Sequence, residues 1–350
     1  MAVPVQHSQP LKATVRFSFV FMAGLFLLMV LLRLGTPLVA ALFTFLALER
    51  LTLARRGGKW IAIGAFMVLF LAGAYALGHF IHESIRALPE IADKAIPSVI
   101  DTAQRHGVQL PFSDYDSLKT LAFETVKNEV RYIGSFAKFA RGATTHLVLL
   151  LAGCVVAMSL FLHPHFDTTR PAADTNLYQE CCTAIAHRFA TLYRGFVTVM
   201  GAQVIISAVN TVLTAIFVLA THLPYGVVIV GVSFLCGMIP VVGNLISNTI
   251  IVGVGFTVSP TMALVALIFL IAIHKLEYFL NSKIVGWRIH NPLWLTLLAL
   301  VVGERLLGVP GMILAPVILN YIKLEASAIK PTTGPLAASS AVLIVPGPQG

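Results

Sequence analysis

Charge is scarce in this chain. Of its 350 residues, 11% are Asp, Glu, Lys or Arg, where a soluble domain carries about 25%. Acids are the scarcer sign, 15 against 24 Lys and Arg, for a net charge of +9. The bases are scattered and stand at the ends of apolar runs instead of forming one patch, which argues against nucleic acid as a partner. Cysteine is nearly absent too. Cys154 and Cys236 lie inside apolar stretches and Cys181 and Cys182 are adjacent, a pattern that excludes a disulfide framework or a zinc module; all four read as small core residues. Hydrolytic and nucleotide signatures are missing. His82-Glu83 is followed by Ser84 and has no second His, and no Gly-rich loop ends in Lys-Ser/Thr. Gly231-Val232-Ser233 and His274 have no specific spacing for a hydrolase dyad. No enzyme, cofactor or metal is expected.

What the chain has in abundance is apolar residues, 57% of the total with a mean hydropathy of +0.87. It reads as an all-α polytopic membrane protein with about six to eight membrane segments. A crossing needs about 20 apolar residues. Phe17–Leu48 is longer than that and is interrupted at Arg33-Leu34-Gly35-Thr36-Pro37, so two helices fit it better than one. Lys12 and Arg16 before the first run resemble a signal peptide, but no small-x-small cleavage site opens onto a polar chain, so the segment is expected to stay. Arg50, Arg55, Arg56 and Lys59 place the next loop in the cytoplasm by the positive-inside rule, and residues 1–80 form the N-terminal membrane helices.

Residues 81–145 change character, with eight acids and eight bases. Ile81, Ile85, Leu88, Ile91, Ala95 and Val99 recur at helical spacing, with Pro89 and Pro97 as bends, and Leu118 to Ala140 mark a second helix. This is the expected external amphipathic helical segment. Residues 146–195 hold a crossing back inward and a cytoplasmic amphipathic helix. Residues 196–330 form the expected transport bundle, and 331–350 a disordered Pro/Ala/Ser/Gly tail. Alternation puts both termini in the cytoplasm.

The bundle carries the most informative pattern. Tyr225–Phe256 is broken at Gly237–Asn244, and Pro292–Ile322 at Gly303–Gly311. Lipid tolerates broken backbone only where protein or a watery cavity surrounds it. Paired Gly/Pro-interrupted segments point to a transport site, and a crossing plus a broken hairpin appears twice in succession, as in inverted-repeat carriers. At the first break Pro240, Gly243 and Asn244 free backbone groups that suit a cation or an anionic group, with Ser233, Ser247 and Asn248 nearby. At the second, Gly303, Glu304, Arg305, Pro310 and Gly311 bring charge and tight turning together. Glu304, if desolvated at the bilayer middle, suits a proton or cation carrier. Gln203, Ser207, Asn210 and Thr214 share one helix face, either as a path lining or as interhelical hydrogen-bond glue. Glu277, beside Lys275, is a candidate gate or ion ligand.

These residues carry a resemblance. Ile239-Pro240-Val241-Val242-Gly243, Glu277, Leu280–Gly286, Asn291-Pro292-Leu293 and Gly303 through Pro316 together resemble the autoinducer-2 exporter (AI-2E) family, and Tyr193-Arg194-Gly195 and Gln203 suit it as well. Ser282 stands where that family often has Pro, and Glu304 where it often has a second Gly. The resemblance covers roughly residues 15–330. It implies a homo-oligomeric inner-membrane transporter that does not hydrolyse ATP, an exporter of a small solute such as a signalling molecule, with a sodium(lithium)/proton antiporter as the alternative. The rival reading is a non-transporting membrane scaffold that binds a partner through its external helices.

Overall fold

The computed structural model describes residues 13–55, 58–107, 136–163, 177–239, 242–285 and 292–329. Among them the chain is entirely helical: α1 (Ala13–Leu31), α2 (Gly35–Arg55), α3 (Lys59–Arg105), α4 (Phe136–Leu162), α5 (Leu177–Thr221), α6 (Gly226–Gly237), α7 (Val242–Val258), α8 (Pro260–Val285), α9 (Leu293–Leu307) and α10 (Val309–Ala328). Seven of these helices are long and apolar enough to cross a membrane, and α6 and α7 are shorter apolar helices. Many large apolar side chains point outward, among them Val20, Trp60, Leu71 and Leu219, as a lipid-facing surface requires.

Both hairpins break within the predicted stretches. α6 ends at Gly237 and α7 resumes at Val242. Pro240 and Val241 lie outside the described residues. α9 and α10 are separated by Gly308 alone, whose φ of 66° is a left-handed conformation that glycine adopts without steric cost. Pro310 follows in the first turn of α10, where its missing N–H costs nothing. The order of one unbroken helix followed by a broken hairpin recurs as α5 with α6–α7 and α8 with α9–α10.

The expected crossing at 60–80 and the amphipathic helix after it are one continuous helix, α3, which carries Pro89 and Pro97 in its interior. The second amphipathic stretch lies mostly outside the described residues; α4 begins at Phe136.

Four apolar cores organise the packing among the described residues, the smallest, of Leu300, Met312 and Ala315, joining α9 to α10. Met22, Leu192, Phe196, Met200, Val317 and Tyr321 join α1, α5 and α10. Leu48, Phe66 and Cys154 join α2, α3 and α4. The largest joins the far half of α3, through Ala87 and Ile91, to the end of α5, to α6, and to the α7–α8 pair. α5 thus belongs to two cores. Near its N-terminal end Arg188 forms a buried ion pair with Glu325 of α10, donates to Ser18 Oγ of α1 at 3.2 Å and covers the Phe19 ring at 4.0 Å.

Candidate functional site

The polar stripe of α5 divides in two. Gln203 Nε2 donates to the Gly237 carbonyl at 2.6 Å and Ser207 Oγ to the Phe234 carbonyl at 2.7 Å. These are among the last carbonyls of α6, which have no partner within their own helix, so this part of the stripe caps a helix end. One turn and two turns further on, Asn210 and Thr214 face a cavity instead. Ser207 also crowds Gly237, where an added Cβ would lie 2.7 Å from its hydroxyl.

That cavity is about 20 Å³. Roughly 10–15 Å³ is enough for one water, so in this conformation it has room for about one water-sized species. Its polar wall comes from four helices: Asn210 and Thr214 of α5, Ser233 of α6, Asn244 and Asn248 of α7, and Glu277 of α8. The Asn244 amide donates to both Glu277 oxygens, at 3.0 and 2.8 Å. His274 Nδ1 lies 3.9 Å from the same carboxylate. Asn210 is 8% exposed, and its carbonyl oxygen has no hydrogen-bond partner. A buried acceptor left unpaired costs about 1–3 kcal/mol. The residue lines a space beside the Glu277 carboxylate, an arrangement rich in acceptor oxygens and suited to a positively charged occupant.

The first break is shaped for this. Gly243 packs so closely on α6 that a Cβ there would fall 1.6 Å from the Cys236 carbonyl oxygen. Its absence lets α7 start against the end of α6 and places Asn244 at the cavity.

The second break does not contribute to the cavity. Gly303 and Gly311 press α9 against α10, with a Cβ on either meeting the other's carbonyl oxygen at 2.5 or 1.9 Å. Pro310 lies against Gly35 of α2. Glu304 and Arg305 sit on the exposed last turn of α9, 54% and 84% exposed, with Arg305 Nε 3.9 Å from the Glu304 carboxylate. Of the residues singled out in the sequence, the structure brings Asn210, Asn244 and Glu277 together, uses Gln203, Ser207 and Gly243 to shape their surroundings, and leaves the 303–311 group elsewhere. His274 is the pocket residue that sequence reasoning did not place; its signal is the i, i+3 spacing to Glu277, which puts both on one face of α8.

Beside this cavity, and sharing Asn248, Leu270 and His274 with it, lies an open concavity of about 700 Å³ between α3, α7 and α8.

The profile described as AI-2E family transporter matches residues 17–328. A Bacillus subtilis (strain 168) protein named "Putative transport protein YdbI" is 34% identical over 125 residues, which is 35% of each chain; the matched stretch spans about a third of that relative. The chain is helical with seven helices long and apolar enough to cross a membrane, and, matched by this profile over nearly its whole length, it belongs to the AI-2E family.

Proposed function

We propose that this is a gradient-driven transporter in which the cavity between α5, α6, α7 and α8 holds a dehydrated monovalent cation that competes with a proton for Glu277, which is sodium(lithium)/proton exchange. The observation that carries this reading is a space of about 20 Å³ lined together by Glu277, Asn244 and Asn210, the last with a buried, unpaired side-chain oxygen. Broken-helix carriers hold their coupling ions at such junctions. Glu277 accepts either a proton or the cation, with Asn244 holding its orientation. Residues 196–330 act as the transport bundle. The protein sits in a bacterial inner membrane as a homo-oligomer, with both termini in the cytoplasm, as the basic residues at 50–59 support.

The test is proton release from acid-loaded proteoliposomes on addition of sodium or lithium. A cation-dependent pH change in the wild type, lost in Glu277→Gln and kept in Glu304→Gln, is the expected result. A change that survives Glu277→Gln moves the proton site elsewhere. No change from folded, inserted wild-type protein overturns cation exchange.

A second reading, export of a small solute such as a signalling molecule, is favoured by the concavity of about 700 Å³, which falls within the roughly 300–1,000 Å³ of ordinary ligand sites.

A further inference from the structure

We propose that the concavity beside the cation cavity is a binding site for a small amphipathic organic anion, an apolar body carrying one carboxylate-like head. This rests on the reading of the smaller cavity as a cation site.

The walls are graded in polarity. α7 and α8 are joined by a turn at Ser259. Near that turn the concavity is lined by Phe256 and Leu267, and further along by Val252 and Ile271. Away from the turn the lining becomes Asn248, Thr249, His274 and Lys275. An occupant matched to both ends has an apolar portion toward the turn and a polar head toward Lys275.

The sign of the head follows from Lys275. This lysine lies within the apolar window of α8 and forms no ion pair among the described residues. It is exposed near the end of that window and lines the polar end of the concavity, so its ammonium is open to an anionic head. The Asn248 amide adds donors for the same head; the Thr249 hydroxyl donates to the Leu245 carbonyl at 2.8 Å. The volume of about 700 Å³ admits a medium-chain acid with room to spare.

The two spaces are also coupled. Asn248, Leu270 and His274 line both, so one layer of side chains separates them. An anion in the larger space feels the Glu277 carboxylate as a repulsion until a cation or proton neutralises it. Linkage makes this reciprocal: sodium raises affinity for the anion by the factor by which the anion raises affinity for sodium, and such factors typically run from about 5- to 150-fold.

The experiment is equilibrium binding of radiolabelled octanoate to the full chain in neutral-lipid nanodiscs, with empty nanodiscs subtracted, in sodium chloride against choline chloride. Radiolabelled sodium binding is measured on the same samples. The expected result is saturable octanoate binding, tightened about 5-fold or more by sodium. It should weaken about 10-fold or more in Lys275→Gln, the loss of one charged contact, and be restored by Lys275→Arg. Glu277→Gln should lose sodium binding and the sodium effect while still binding octanoate. Saturable sodium binding without octanoate binding overturns the solute site and leaves the cation reading standing. Octanoate binding unchanged in Lys275→Gln, or matched by octanol, reduces the concavity to an apolar lipid contact and overturns the proposal. Octanoate binding that depends on Lys275 without any sodium binding upholds the solute class and overturns the cation reading.

Discussion

Arg188 and Glu325 are 11% and 5% exposed, and two charges so deeply placed are stable only as a pair. Removing one partner leaves the other buried and uncompensated, at about 3–5 kcal/mol, whereas replacing both with apolar side chains is often neutral. Glu325→Ala should therefore lower the thermal unfolding midpoint of the detergent-solubilised protein sharply, and Arg188→Met with Glu325→Leu should recover most of the loss, both read by circular dichroism. A double variant no more stable than the single one would assign the effect to lost packing. This pair was not legible in the sequence: its partners lie 137 positions apart, and neither has a local pattern that announces the other. The stripe Gln203, Ser207, Asn210 and Thr214 was legible as a face, because helical spacing is local. Its division into cap and cavity was not, since that depends on where α6 ends against it.

At the scale of elements, the breaks were the most readable features, because glycine and proline act on their own backbone. What each break touches is tertiary. Gly243→Ala forces a Cβ into the Cys236 carbonyl, a clash with backbone that cannot rotate away. It should destabilise the protein by about 1–3 kcal/mol and abolish transport by displacing Asn244. Gly201 of α5 has open space around its Cβ position, so Gly201→Ala should leave activity intact and stability unchanged or raised by up to about 1 kcal/mol, the helix-propensity gain. Unfolding midpoints and flux on the two variants side by side check this. Equal tolerance of both would favour a scaffold over a carrier. The continuity of α3 is the counter-case. The change in composition at residue 81 suggested a new element, but the helix runs on because its apolar face, through Ala87 and Ile91, finds a core to join; Pro89 and Pro97 did not end it.

For the whole molecule, the contact of Ser18 and Glu325 with Arg188 puts the start of α1 and the end of α10 at one end of the protein. Single cysteines at Ala13 and Ile329, in a background with the four native cysteines replaced, should react with an impermeant maleimide from the same side, and from the cytoplasmic side if the basic loops set the topology. Labelling from opposite faces would contradict the packing of α1 and α10 on α5. The joint between the two cores has a mechanical meaning. α5 is unbroken over 45 residues, and Arg188 fixes it near one end while Asn210 lines the cavity beside Glu277, about 33 Å away along a helix rising about 1.5 Å per residue. Such a rod is a lever. A tilt of about 5° about its fixed end, with the helix kept straight at that rise, moves Asn210 sideways by about 3 Å, the diameter of a water molecule, so a slight rocking that carries the far core with it is enough to make or unmake the cavity.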